Sequence, residues 1–216
     1  MIHLLIFVCI SAEVEINSYI GDSLDNSIVG FTFFDDKQNM YFETKQPYHQ
    51  IFFYLADTLV LYYPEEEKAM FFSNYDPMSF IIKQVIIASS KNFDLSKYGF
   101  RFLLREKTGD TLNYHWLLNK GKASPETRLI LKFYKEKLTE MILTDKDAKI
   151  LHKTEYDEYI IKDSLIGLPL RVSSYSYLPN GVTKEFLELS NAEFIEFFPD
   201  SLKNISLPDG IEIKKW

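Results

Sequence analysis

The side chains that could do chemistry in this 216-residue chain are few and scattered. The four histidines, His3, His49, His115 and His152, stand apart, and none has a second His or Cys at metal-ligand spacing. Structural or surface roles are expected of them, with no metal and no cofactor. Glu65, Glu66 and Glu67 follow Pro64 and read as a solvated hairpin tip. Asp145-Lys146-Asp147 reads as another hairpin turn, without the further oxygen ligands of a calcium loop. Glu155, Asp157 and Glu158 alternate with Tyr156 and Tyr159, a pattern that suits an edge strand protected from pairing. A glycine-rich phosphate loop, a G-x-S-x-G elbow and paired carboxylates in an apolar setting are all missing from the sequence. A non-enzymatic role is expected.

Charge and composition narrow the classes further. A formal net charge of −7 argues against nucleic-acid binding, which needs a basic footprint to neutralise phosphates. Lysines and acids are interspersed, so there is no polybasic membrane patch. The single cysteine, Cys9, rules out an intrachain disulfide. The opening MIHLLIFVCISA is apolar but too short to span a bilayer, which takes roughly 20 apolar residues. Residues 1–12 read either as a secretory signal cut before Glu13, though without a positive n-region, or as the buried start of the fold. Cys9 as a lipid-attachment site is disfavoured by the bulky Ile6, Phe7 and Val8 before it. Residues 13–216 read as a single domain.

The elements that must position any site are mostly strands. Val14, Ile16 and Ser18 alternate with Glu13, Glu15 and Asn17, as in a half-buried strand. Further strands are expected near 28–34, 39–45, 49–55, 58–63 and 68–73, joined by short polar loops. Asp76-Pro77 has the chemistry of an N-cap followed by proline at the first helical position. Met78, Ile81, Ile82, Val85 and Ile86 then recur at helical spacing, predicting a short amphipathic helix over about 77–89. It suits either a plug at one end of the sheet or a movable lid. Strands resume near 98–105, 111–118, 128–134, 137–143, 156–161, 169–177 and 182–190, with Pro179-Asn180-Gly181 as a strong turn signal. The chain closes on a Pro-Asp-Gly turn and a short strand.

The expected fold is mainly β (α+β): an incomplete antiparallel barrel of about ten to twelve strands, its apolar concave face covered by a short helical lid. The chain has 18 Phe and 14 Tyr, and residues 30–68 are crowded with them in strand after strand. One face of an antiparallel sheet usually meets water and alternates polar. Aromatics on both faces require either that both be covered or that one line an apolar cavity. A concave apolar face under a small amphipathic helix is a container for acyl chains, where each buried methylene contributes ~0.8 kcal/mol.

In this block the sequence resembles the LolA family of periplasmic outer-membrane lipoprotein carriers. Gly30, Phe33, Phe42, Pro47, Gln50, Ile51, Thr58-Leu59, Tyr62 and Pro64 stand in the places of the family pattern. The helix after Asp76-Pro77 falls where the family has a lid helix, and Leu207-Pro208-Asp209-Gly210-Ile211 resembles its terminal Pro-x-Gly-Val turn. The resemblance is close over about 30–72 and loose beyond. It implies a non-catalytic monomer that takes lipoprotein acyl chains from an ATP-driven inner-membrane complex, shields them, and delivers them to the outer membrane or an acceptor there. It also implies a lipid-binding set of Phe33, Met40, Phe42, Met78, Ile81, Ile82 and Val85. An outer-membrane receptor of the same fold, or an envelope lipid sensor, remains open. Asp36 stands at the lid-latch position where the family has a basic residue, and Lys37 stands where it has proline. Lid closure, and with it the direction of transfer, is therefore expected to work differently here.

Overall fold

The computed structural model describes residues 9–35, 39–55, 58–73, 81, 84, 85, 88, 95, 96, 99–118, 127–162, 166–196, 199–203, 207, 208 and 210–215. Alternating and aromatic-rich segments form fourteen strands, more than the ten to twelve expected. They are β1 (Cys9–Ile20), β2 (Ser23–Asp35), β3 (Met40–Gln46), β4 (Gln50–Leu55), β5 (Thr58–Tyr63), β6 (Lys68–Ser73) and β7 (Phe100–Thr108). β8 (Thr111–Leu118), β9 (Thr127–Tyr134), β10 (Lys137–Thr144), β11 (Ile150–Lys162), β12 (Ile166–Leu178), β13 (Gly181–Ile195) and β14 (Glu212–Lys215) follow. The hydrogen-bonded order is β14-β6-β5-β4-β3-β2-β1-β13-β12-β11-β10-β9-β8-β7, an open ladder that ends at β14 and β7.

Two of these strands differ from the sequence reading. β14 pairs parallel with β6, through Glu212 opposite Lys68 to Lys215 opposite Phe71. The closing strand is thus no hairpin partner but returns from distant chain. β11, read as an edge, lies between β10 and β12. Two of its acids have cation partners, Lys153 for Glu155 and Arg171 of β12 for Glu158, while Asp157 and Glu158 stay exposed on the strand. Cys9–Ala12 run within β1 and are buried.

The chain packs as two compact units. The first comprises Met1–Ile16, Ser27–Ile86 and Glu188–Trp216. Here β2–β3, β3–β4, β4–β5 and β5–β6 are antiparallel ladders. Register decides which side chains share a face. Thr32 and Phe34 lie opposite Phe42 and Met40, and these lie opposite Phe52 and Tyr54. Phe33 lies opposite Tyr41, which lies opposite Phe53.

The second unit, Asn17–Asn26 with Ile87–Leu187, behaves differently. Trp116, Leu129, Leu131, Phe133, Met141, Tyr156 and Val172 form one buried face, linked by the β8–β9, β9–β10, β10–β11 and β11–β12 registers. The opposite face carries Lys132 opposite Glu140 and Glu140 opposite Glu155, with a Lys132–Glu140 ion pair of 2.7 Å. This is the ordinary alternation of a sheet with one wet side.

Within that buried face lies a polar cluster. His152 Nδ1 is 2.9 Å from Ser176 Oγ, and its Nε2 is 3.1 Å from both Thr154 Oγ1 and Ser174 Oγ. Leu143 of β10 lies opposite it. Burial holds the His152 imidazole below the usual histidine value, because a charged ring would lose hydration that three hydroxyls do not replace. On β13, Glu185 has the parity of the buried Leu187 and Leu189, and burial raises its carboxyl above the usual value.

Two outcomes follow from these placements. A Cβ on Gly30 would fall 2.3 Å from the Glu43 carbonyl oxygen and 2.8 Å from Phe42 Cε2, so the β2–β3 pair closes only around a glycine. Gly30→Ala should cost about 1–3 kcal/mol in denaturant unfolding; an unchanged midpoint would contradict this packing. For His152 the depressed folded-state value leaves its contribution fully present above the ordinary histidine value of about 6.5 and lost as pH falls below it. Glu185 acts with the opposite sign, its buried charge being relieved as pH falls. The acid-side loss due to His152, at most about 1.4 kcal/mol per pH unit for one proton, should vanish in His152→Gln when unfolding is compared at pH 7 and pH 5.5.

Candidate functional site

The first unit holds the site residues expected from sequence. β3 is apolar on both parities because Met40, Tyr41 and Phe42 follow one another. Met40 and Phe42 point to one face with Phe34, and all three are at most 2% exposed. Phe42 and Phe52 stack at a tilt with centroids 5.5 Å apart, and Tyr54 and Leu59 extend the buried surface. The polar members of this face are satisfied by backbone. Thr32 Oγ1 donates to Tyr41 O at 2.9 Å. Thr44 Oγ1 donates to Tyr48 O at 2.6 Å and accepts from the Gln50 amide at 3.1 Å.

Ile81 and Val85 are helical and buried, and so are Gln84 and Ala88. Ile81, Gln84 and Val85 belong to the first unit and stand at the i, i+3, i+4 spacing of one helical face. Met78, Ile82, Asp36, Lys37 and Asp76-Pro77 lie outside the described residues. A buried helical stripe is what the described residues show; a lid over an open cavity is not among it.

Phe33 sits on the other face from Met40 and Phe42. There Phe31, Phe33, Tyr41 and Phe53 form a chain of ring contacts with centroids 4.7, 6.3 and 5.3 Å apart. Cys9 and Tyr41 form the buried centre of this cluster, with Ile51, Ile195 and Leu202 packed around it. Leu202 comes from the one-turn helix Asp200–Lys203, so the C-terminal segment covers this face. Sequence reasoning named neither Tyr41 nor Leu202. The signal for Tyr41 was its place between two inward residues, which forces it outward onto the second face.

At the rim of that face, Tyr41 OH donates to Glu43 Oε2 at 2.7 Å, and His49 Nε2 lies 2.9 Å from Glu43 Oε1. Burial alone would raise the Glu43 carboxyl, but the Tyr41 and His49 hydrogen bonds outweigh it and hold the group below the usual carboxylate value. Burial, and then the adjacent Glu43 carboxylate, push the Tyr41 phenol far up, so it remains a donor. Asp35 and Asn39 are tied together, the Asp35 carboxylate accepting from the Asn39 amide and side chain, both at 2.8 Å.

A groove of about 300 Å³ lies along β5, β6 and β14, lined by Tyr63, Glu66, Lys68, Met70, Glu212 and Lys214. Its two glutamates and two lysines make it poor for an alkyl chain. Among the described residues, no three His, Cys, Asp or Glu side chains converge to hold a metal, and no helix is long and apolar enough to cross a membrane.

Comparison with family sequence models gives no match, and comparison with curated proteins gives none either. Solved structures do match. A LolA superfamily protein from Nitrosomonas europaea superposes with a TM-score of 0.62 at 14% identity, over 90% of this chain and 89% of the other. A domain assigned to outer-membrane lipoprotein sorting from Vibrio parahaemolyticus gives 0.60 at 13%, over 89% and 88%. A DUF1329 family protein from Desulfovibrio piger gives 0.64 at 15%, over 91% and 90%. At these identities the likeness is one of fold, and it extends along nearly the whole chain: the protein has the LolA-like fold expected from its 30–72 block.

Proposed function

We propose that this protein is a periplasmic carrier that shields the acyl chains of lipoproteins and escorts them from an ATP-driven inner-membrane complex to the outer membrane, without catalysis. The observation that carries the reading is the conjunction of the LolA-like fold with an apolar sheet face and an apolar helical stripe in the first unit. The acyl-binding set is Met40, Phe42, Ile81 and Val85, with Met78 and Ile82 beside them on the helical pattern. Phe33 lies on the opposite face and drops out of the set.

The protein itself buries this face, so acyl chains must replace contacts already made. Each methylene contributes ~0.8 kcal/mol, and the cost of parting the packed side chains is subtracted from that. Net affinity is then a difference, small enough to permit release. Such a balance suits a carrier more than a storage protein.

Mass spectrometry of organic extracts from the purified full chain should find co-purified acylated species, and a fluorescent fatty-acid probe should bind. Met40→Gln should weaken probe binding about tenfold, the loss of a little over one methylene's worth of contact plus an unpaired amide. Phe33→Gln should change it less than about twofold. Circular dichroism checks that both variants are folded. Lipid-free protein that binds no probe, or equal losses in both variants, would overturn the assignment.

A further inference from the structure

Among the described residues, strand β7 ends the ladder in the second unit with no strand on its outer side, and every residue from Arg101 to Thr108 is exposed. It is also unusually apolar for such a place: Phe102, Leu103 and Leu104 are 47%, 40% and 44% exposed. An edge strand offers an unpaired row of N–H and C=O groups, and natural proteins normally blunt it with charge or brevity. A nine-residue edge with three large apolar side chains at its centre is a template for another strand.

The register of β7 indicates which strand fits. It is interrupted between Phe102 and Leu104, so that Leu103 has no partner on β8. Without the bulge, Arg101 and Glu106, five residues apart, would point to opposite faces. With it they share one: Arg101 lies opposite Leu117 and Glu106 opposite Asn113, two residues of like parity on an unbroken strand. Likewise Phe102 and Arg105 share the other face, opposite Trp116 and Tyr114, and Phe100 and Lys107 share it too, opposite Leu118 and Leu112.

We propose that β7 pairs antiparallel with β7 of a second copy of this chain about a two-fold axis perpendicular to the sheet, centred between Leu103 and Leu104. Such an axis maps each face onto itself and sets residue i against residue 207−i, so the two copies present the same patch to each other. Arg101 then faces Glu106 of the other copy, twice by symmetry. Phe102 faces Arg105, a cation beside a ring; Lys107 falls beside Phe100, which is buried in its own chain; and the leucines meet at the axis. Opposite charges directly across a strand pair are favourable and like charges unfavourable. No residue in this register meets a like charge, and every facing pair lies on one side of the sheet. Glu106 Oε2 lies 3.3 Å from His115 Nε2 within its own chain, which orients the carboxylate along the same face. The dimer departs from the monomer that the family resemblance implies, and it does not rest on the acyl-carrier reading.

Sedimentation velocity on the full chain over a concentration series tests it. Wild-type protein should show a reversible monomer–dimer equilibrium. Arg101→Glu and Glu106→Arg should each weaken self-association about tenfold or more, since each sets two like-charge pairs across the axis. An equimolar mixture of the two variants should recover the dimer, because every cross-strand charge pair is again opposite; unfolded variants could not do so. Wild type that stays monomeric, single variants that dimerise like wild type, or a mixture that fails to recover would each overturn the proposal. A monomer that instead captures an unrelated peptide or membrane on β7 counts among those failures.

Discussion

Every residue of β3 is constrained by one geometrical fact: consecutive strand side chains point to opposite faces. Met40, Tyr41 and Phe42 are consecutive and all large and apolar, so neither side of this strand can face water without cost. Each such side chain gains about 1.5–3 kcal/mol by burial. The remainder of the first unit answers this demand. On the Tyr41 side, Leu202 and Ile195 from the C-terminal part of the chain join Cys9 from the start of β1. On the Phe42 side, Phe34, Phe52 and Tyr54 close around the strand, and the stripe of Ile81 and Val85 is buried in the same unit.

The close fit of β2 to β3 depends in turn on an absent side chain. Gly30 lies at a register shift where the Glu43 carbonyl and the Phe42 ring occupy the space of a Cβ. A glycine conspicuous in a pattern of aromatics thus has a plain reason: it lets Phe42 lie against backbone. The second unit shows what the chain does without that demand. Its strands keep one apolar and one charged face, and among its buried polar groups His152, Thr154, Ser174 and Ser176 form one hydrogen-bonded cluster.

The acyl-carrier reading inherits its physical logic from this contrast. A face that the protein covers with its own side chains is a face that alkyl chains can also cover, because dispersion and the hydrophobic effect are non-directional. What differs between the two states is which apolar groups do the covering. The charged groove along β14 and the ion-paired face of the second unit lack that exchangeability, since a departing partner would leave a charge unmatched.

Alternation and turn chemistry are local signals, and they placed the strands, most of their bounds and the helical residues within 77–89; the LolA-like fold was legible only through the family resemblance of residues 30–72. The sequence also put large apolar side chains on both faces of β3, which left two solutions: both faces covered, or one lining an apolar cavity. Which segments cover β3 and which residues share a face follow from long-range strand pairing. Phe33 read as a companion of Phe42, but the β2–β3 register sets it beside Tyr41. β11 read as an edge because its acids stood out, yet β10 and β12 flank it, and the cations come from β12 (Arg171) and from β11 itself (Lys153). β14 read as one more strand of an antiparallel series and instead runs parallel to β6. In each case the deciding quantity is a pairing between residues distant in the chain. No local pattern encodes such a pairing, and a shift of one residue reverses every face it assigns.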